Sequence, residues 1–512
     1  MLKKALISGI IYLYEFKQAF CGYKLEEKTV KRLLAIIIAA IFVITTFASC
    51  AKIIDDEGAS GSDSGLGSGN AIDSGVVDSD DNSNDVGDKD TGDKENNGDV
   101  NNSDKNDDAN KDDDKTDDKT DDKPAEKPTF NVKESTSGLK FELNEDGLSY
   151  TVVSKGTSTA KSIVIDGHDG LPVTKVGYSA FADDKTITSV KLGDYVEEIG
   201  DQGFSMCSGL TSVTFGKNVR FLGDYSFRYC SALTSVELGK NIEVIKYGAF
   251  YKASKLATIK MYDKVRIIEE YAFDGTAYFT TSGNWKNKVL YIGTNLIKAK
   301  SDISGSYTVA ANTTCIGGLS FNGCASITGI TVPDSVHSIG LKAFQGATKL
   351  ATVNLGKGIT YIGEKAFENS KYYNTSANWK NNVLYVGTYL VAAKTALSGT
   401  CTVTTGTKVI ADYALNGCAK VSNVIIPDTV VYIGEYAFRG CQKLSAVTIG
   451  SGVKEIGIYA FKDCPALNGI TMKKTTGWSA DKIEISSENI SDKESAVVYI
   501  GMLYSDKIWK RA

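Results

Sequence analysis

The sequence predicts a mainly β solenoid: a right-handed stack of about a dozen short coils, with short helical or 3-10 turns and a cap at each end. Three observations predict it. A small residue followed by phenylalanine, or a close substitute, recurs with its second member at Phe181, Phe204, Phe227, Phe250, Phe273, Phe321, Phe344, Phe367, Leu415, Phe438 and Phe461. The steps are 23 residues, except for two of 48 that end at Phe321 and Leu415. Two stretches, NWKNKVLYIGTNLIKAK at 284–300 and NWKNNVLYVGTYLVAAK at 378–394, agree at 12 of 17 positions, and one falls in each long step. Each therefore belongs to a variant coil of 25 residues set into a 23-residue array, giving a super-repeat of 94 residues. Self-similarity at a fixed period of this size is the signature of stacked supersecondary units.

Taken in chain order, the first 50 residues form a leader. Lys31-Arg32 precedes LLAIIIAAIFVITTFA, an apolar run of sixteen residues. A membrane span needs about 20 residues, so this length suits the apolar region of a secretory signal. The run ends at Phe47-Ala48-Ser49-Cys50, which resembles the lipobox of bacterial lipoproteins, with Phe47 where leucine is usual. That resemblance implies a lipid on Cys50, hence a membrane anchor. The thirty residues before Lys31 exceed an ordinary signal's basic segment, which an upstream mis-set start would explain; an uncleaved anchor or plain secretion is the alternative to lipidation.

Residues 51–128 are expected to be a disordered acidic stalk. Residues 51–123 carry 24 Asp and Glu against eight Lys, and almost nothing to bury. Such a segment does not offset its ordering entropy. As a flexible coil it spans about 45–50 Å. The run DKTDDKTDDK lacks the spaced oxygens and terminal Glu of a calcium loop, so it reads as solvated tether. Residues 124–512 carry 42 Lys and Arg against 35 acids, without a basic cluster. Nucleic-acid binding is not expected of such a surface.

Residues 129–170 are expected as an N-terminal β cap, with a hairpin around Asp146-Gly147. The solenoid spans 171–473. In the coil from Leu210 to Cys230, apolar residues fall at Leu210, Val213 and Phe215, then Val219 and Leu222, then Ser226-Phe227 and Cys230. Two short strands with Gly216 between them, followed by a tight turn, fit this spacing. One coil cannot bury its apolar side alone; stacked neighbours make a continuous core. In the variant coils, Val289–Gly293 and Asn295–Lys300 read as a hairpin replacing the first strand of a coil. Trp285 and Trp379 are expected to cover the core, with a carbohydrate-stacking platform as the sharper alternative. Residues 474–512 lose the period and form a C-terminal cap, with Trp478 and Trp509 available to close the last coil.

Six of the ten cysteines, Cys207, Cys230, Cys324, Cys418, Cys441 and Cys464, follow a ladder residue by three. Their spacing comes from the repeat, so they are expected as buried free thiols, with vertical disulfides the alternative. No tight Cys/His pairing for a metal occurs. His168 lies in the Asp166–Gly170 turn, and His337 lies on a second strand beside positions that carry Arg220, Glu243 and Thr360 in other coils. Neither has a neighbour that marks it as a base for a nucleophile, so no enzyme, cofactor or metal is expected. What remains is surface. Lys191, Thr214, Glu237, Lys260, Thr331, Asn354, Ile425, Thr448 and Thr471 are expected to face outward from the first strands, as a shallow, hydroxyl-rich ladder able to contact an extended ligand. Phe221, Tyr361 and Tyr432 are expected as a partly exposed aromatic line on the other strands.

The coil at Ile327-Thr-Gly-Ile330-Thr-Val332-Pro333-Asp-Ser-Val336-His-Ser-Ile339-Gly340-Leu-Lys-Ala343-Phe344 resembles the BspA-like bacterial leucine-rich repeat surface proteins, whose repeat reads approximately L-x-x-I-x-I-P-x-x-V-x-x-I-G-x-x-A-F-x-x-C. Val421–Phe438 fits as well, with Pro427, Ile433 and Gly434 in place. The resemblance runs from about Gly138 to the C-terminus and implies a leucine-rich repeat solenoid. It also implies a bacterial cell-surface adhesin that binds an extracellular protein or glycoprotein, such as a host matrix glycoprotein. A self-associating or wall-binding envelope protein and a polysaccharide-recognition module are the alternatives.

Overall fold

The computed structural model describes residues 129–512; the leader, Cys50 and the stalk lie outside them. Regular coils each contribute two short strands. First strands pair in parallel with first strands 23 residues on, as Ser189, Val190 and Lys191 do with Ser212, Val213 and Thr214. Second strands do the same, as Glu198 and Ile199 pair with Phe221 and Leu222. Register equals period, so each apolar residue lies over its counterpart. About 14 coils stack in this way.

The core makes that coincidence visible in its rings. Phe181, Phe204, Phe227, Phe250 and Phe273 stack with centroids 5.0–5.6 Å apart and planes within 10°. Phe321, Phe344 and Phe367 form a second stack, and Phe438 with Phe461 a third. The tight turn around each ladder residue runs on i→i+3 bonds, as from the Ala180 and Asp184 amides to the Gly177 and Phe181 carbonyls. The amides between them (Ser179, Phe181, Asp183) donate to the next coil's Asp201, Gly203 and Ser205. Ser179 and Asp183 take left-handed φ of 51° and 61° to aim those amides outward. Left-handed backbone disfavours residues with a Cβ, and the inter-coil hydrogen bonds hold it there. Glycine is required where coils touch backbone to backbone. A Cβ on Gly340 would strike the Gly318 amide, which explains the Ile-Gly pair ending so many second strands.

The two inserts are built alike around their helical turn and tryptophan. Each opens with a single helical turn, Ala277–Thr280 or Lys371–Asn374, capped by the buried Thr276 or Ser370 side chain. The Trp285 indole donates to the Phe279 carbonyl at 2.8 Å, and Trp379 to Tyr373 at 2.6 Å. Tyr278 and Tyr372 hydroxyls donate to the Tyr291 and Tyr385 carbonyls, each at 2.9 Å. Lys300 and Lys394 lie over the indole faces. Both Trp residues are half-buried cover, held by backbone on the edge and a cation on the face.

The hairpin differs from expectation in its place. Its second arm, Asn295–Ala299, pairs in parallel with Cys315–Ile316, so it joins the second-strand ladder and does not replace a first strand. Two apolar runs around a Gly-Thr turn revealed a hairpin but not which ladder it enters, because both ladders accept the same apolar letters. The arms are buried on both faces. Leu290, Ile292 and Ile297 belong to the core that ends at Phe273, while Val289, Leu296 and Ala299 belong to the core that follows. The insert is thus a wall between two cores.

At the ends, Lys140–Leu143 and Tyr150–Ser154 form the antiparallel hairpin expected around Asp146-Gly147. Tyr150–Ser154 already pairs in parallel with Leu171–Val176. At the other end, Trp509–Arg511 adds antiparallel to Glu455–Ile456 and to Trp478–Ala480. Trp478 and Trp509 are both buried, and the cap removes the open edge of the last coil.

The eight cysteines of the described residues are free thiols. Cys207, Cys230 and Cys441 donate to the carbonyl of the preceding coil's ladder residue at 3.0–3.4 Å. Burial pushes the Cys207 thiol up to about 12. Cys464, half-buried, is held low by its contact with Cys441. Thiolate is the reactive form. Iodoacetamide on the native protein at pH 8 is therefore expected to label Cys464 first and Cys207 and Cys230 only on unfolding. Peptide mapping checks this, and equal labelling of all sites would refute the buried ladder.

Candidate functional site

Two surfaces are candidates. On the first strands, Lys191, Thr214, Glu237, Lys260, Thr331, Asn354, Ile425 and Thr471 are exposed, and Thr448 is half-buried. They come from separate ladders: Lys191 with Thr214, Glu237 with Lys260, Thr331 with Asn354, and Ile425 with Thr448 and Thr471. Glu237 is held by Lys260 at 2.7 Å and by the Tyr262 hydroxyl. The Lys260 side-chain hydrogen bond holds its carboxyl below the usual range. Among the described residues this strip makes no ion pair to a distant coil.

The second-strand face does the opposite. Each insert acts as a wedge: beyond it, the regular coils meet directly on the inner side. The Gly318 amide reaches the Ile268 carbonyl at 2.8 Å across the first insert, and Asp412 reaches Ile362 at 3.0 Å across the second. Lys342 pairs with Glu270 at 3.1 Å over the first junction. The solenoid curls so far that Lys482 in the C-terminal cap pairs with Glu197 at 2.8 Å, and Arg266 lies 3.8 Å from Glu455. The arms enclose a cavity of about 320 Å³, walled by Phe221, Arg266, Tyr361, Tyr432, Glu455 and Lys510 among others. The expected partly exposed aromatic line is corrected at Tyr432. Tyr432 is buried, Phe221 and Tyr361 are half-buried, and Tyr361 meets Tyr432 edge to face at 5.8 Å across the second insert. His337 opens on the same cavity.

The floor beside it holds groups that the sequence did not single out. Asp412 is 5% exposed and accepts from the Tyr432 hydroxyl at 3.1 Å and the Glu435 amide at 2.9 Å. Burial, then the neighbouring Glu435, push its carboxyl well above the usual range. Burial pulls the Lys246 ammonium down, but Glu269 at 2.7 Å and Glu435 outweigh it and leave it raised. At the other end of the head, His168 stacks on Phe141 at 4.2 Å, with Glu134 and Asp169 carboxylates each 3.7 Å from a ring nitrogen. Both carboxylates are exposed, and the histidine packs in the cap as an aromatic.

A family described as BspA type Leucine rich repeat region matches residues 174–304, 314–405 and 408–484 in six copies. The chain belongs to that family. No curated protein matches it. This BspA-type chain is similar to a leucine rich cell surface protein of Faecalibacterium prausnitzii at 23% identity, over 66% of this chain and 94% of that one, with a TM-score of 0.25. It is similar to the pneumococcal vaccine antigen PcpA at 18% identity, over 69% and 91%, with a TM-score of 0.24. A leucine-rich repeat protein of Bacteroides ovatus is 19% identical over 66% and 88%, with a TM-score of 0.22. BspA-type repeat proteins are typically bacterial surface proteins. Among the described residues no helix is long and apolar enough to cross a membrane.

Proposed function

We propose that this BspA-type protein acts in adhesion at the bacterial cell surface, anchored through a lipid on Cys50, its first-strand strip binding an extracellular protein or glycoprotein such as a host matrix component. The observation that carries this is the contrast between the two faces. The inner face is taken up with contacts between arms, whereas the ladder from Lys191 to Thr471 is left open to solvent. A repeated row of this kind suits an extended ligand held by many weak contacts, and none of its members is arranged for catalysis. We read the chain as a binding protein and not an enzyme.

The test is surface binding of the full chain to fibronectin, fibrinogen, collagen, laminin, purified cell wall and itself. Saturable binding to a matrix protein is expected. Replacing Lys191, Glu237, Lys260 and Asn354 together by alanine is expected to weaken it by about tenfold or more, since a few contacts of about 0.5 kcal/mol each sum to that factor. Binding only to cell wall or to itself would replace this reading with that of an envelope scaffold.

A further inference from the structure

The inner cavity has no part in the adhesion strip, yet it is furnished as a site. Its volume of about 320 Å³ falls within the range of small-ligand pockets, roughly 300–1,000 Å³. Four cations line it, Lys246, Arg266, Lys454 and Lys510, against two carboxylates, Glu435 and Glu455. Lys246 is committed to Glu269. Among the described residues Lys454 and Lys510 have no carboxylate within ion-pair distance; the charge of Lys510 is met only at longer range, by Glu243. Arg266 is shared between two carboxylates at long range, its Nε 3.6 Å from Glu243 and its Nη1 3.8 Å from Glu455, and the buried Nε has no hydrogen-bond partner.

A second, independent observation comes from a neutral group. Ser338 lines the same cavity and is 1% exposed, and its hydroxyl has the neighbouring Cys315 thiol beside it but no oxygen or nitrogen partner. Buried polar groups are nearly always satisfied, and an exception at the wall of a cavity marks a place where a bound group completes the bonding. The cavity thus offers unmatched cations, an unsatisfied hydroxyl, the exposed Thr360 side chain, two carboxylates that accept hydrogen bonds, and the apolar rings of Phe221 and Tyr361.

We infer that this cavity binds an acidic sugar residue, a ring bearing one carboxylate and several hydroxyls. The carboxylate answers Lys454, Lys510 and Arg266. Ring hydroxyls answer Glu435, Glu455, Ser338 and Thr360. An aromatic wall suits the apolar face of a sugar ring. An acidic peptide side chain would satisfy the cations but would bring no donors for Glu435 and Glu455 and would leave carboxylates facing carboxylates. A neutral sugar would leave the lysines unmatched. The site needs both halves of the chain, because its walls come from Phe221 to Lys510 and are joined only by the curl that the two inserts impose.

The experiment titrates the full chain with sodium glucuronate, with glucose, and with a short Asp/Glu peptide, by ligand-observed NMR and calorimetry. Glucuronate is expected to bind, and glucose at least about tenfold more weakly, the loss of one charge-assisted hydrogen bond or more. The double substitution Lys454→Ala with Lys510→Ala is expected to weaken glucuronate about tenfold. Lys349→Ala, on an exposed turn away from the cavity, is expected to leave it unchanged. Thr360→Val, a surface change that removes one hydroxyl, gives a second reading if the lysine pair proves unstable by circular dichroism. Glucuronate binding that survives both cavity variants would overturn the location. Binding of the peptide but not the sugar, or of none of the three probes, would overturn the ligand assignment. Matrix binding, read separately, would be unaffected by either result.

Discussion

Replacing Phe227 with alanine is expected to cost about 3–5 kcal/mol of folding stability, the range for emptying a fully buried aromatic site. Phe227 stands in the middle of the five-ring stack, 5.5 Å from Phe204 and 5.2 Å from Phe250, and Phe215 meets its edge at 6.1 Å. Alanine leaves a void bounded above and below by rings that are fixed by their own coils, so collapse is limited. The contact is vertical as well as lateral, and coupling should show it. A double-mutant cycle on Phe204 and Phe227 is expected to give an interaction of about 0.5–1.5 kcal/mol. Phe461 has one stacked partner, Phe438, and Phe461→Ala should cost less. Urea unfolding followed by circular dichroism measures all four. A loss below about 1.5 kcal/mol at Phe227 would mean that the stack contributes little beyond filling space.

The same stack shows why so much of the fold was legible. A 23-residue step of phenylalanines is a register written into the chain, and parallel pairing at that register follows once each coil needs a neighbour to bury its apolar side. Leu415 for phenylalanine did not hide the period, because Ala414 and Cys418 kept their places. The inserts were legible as hairpins through the apolar runs Val289–Ile292 and Val383–Val386, each followed by a Gly-Thr turn. Their consequence was not. Curvature arises from which ladder a hairpin enters and how far it parts its neighbours, and the same apolar letters serve either ladder. The cavity was hidden for that reason: Phe221, His337, Tyr361 and Lys510 share no period and meet only through the curl. His337, read as a second-strand surface residue, is exposed but lies one residue before the strand Ser338–Ile339, at the rim of the cavity. The solvent exposure of the first-strand residues, Thr448 half-buried apart, was legible because outward alternation in a strand depends on neighbours two residues away and not two hundred.

Asp412 carries the second large effect, and its sign is opposite to that of most core substitutions. It stands three residues before its ladder residue, like Asp201, Asp224, Glu364 and Glu435, and in sequence it is one more acidic letter on a turn. Asp201 is exposed and the others are half-buried; Asp412 is buried because the second insert folds the coil containing Tyr361 against it. Burial, then Glu435, raise its carboxyl above the unfolded value of about 3.9. The folded state therefore holds a proton that the unfolded chain releases. Stability from this group is intact below about pH 4 and is lost as pH rises through the folded-state value; Glu435, also raised by burial, acts in the same direction. Asp412→Asn removes the charge and keeps an oxygen for the Tyr432 hydroxyl and the Glu435 amide. It is expected to stabilise the protein at pH 7 by about 1–3 kcal/mol and to flatten the fall in stability between pH 4 and 7. Asp412→Ala, which strands both donors in a dry site, is expected to destabilise by about 1–3 kcal/mol. Urea unfolding of the three proteins at pH 4 and pH 7 decides it. If Asp412→Asn is destabilising at pH 7, the carboxylate is compensated by the donors around it, the Tyr361 and Tyr432 hydroxyls and the Glu435 amide, and the charge is holding the two arms together.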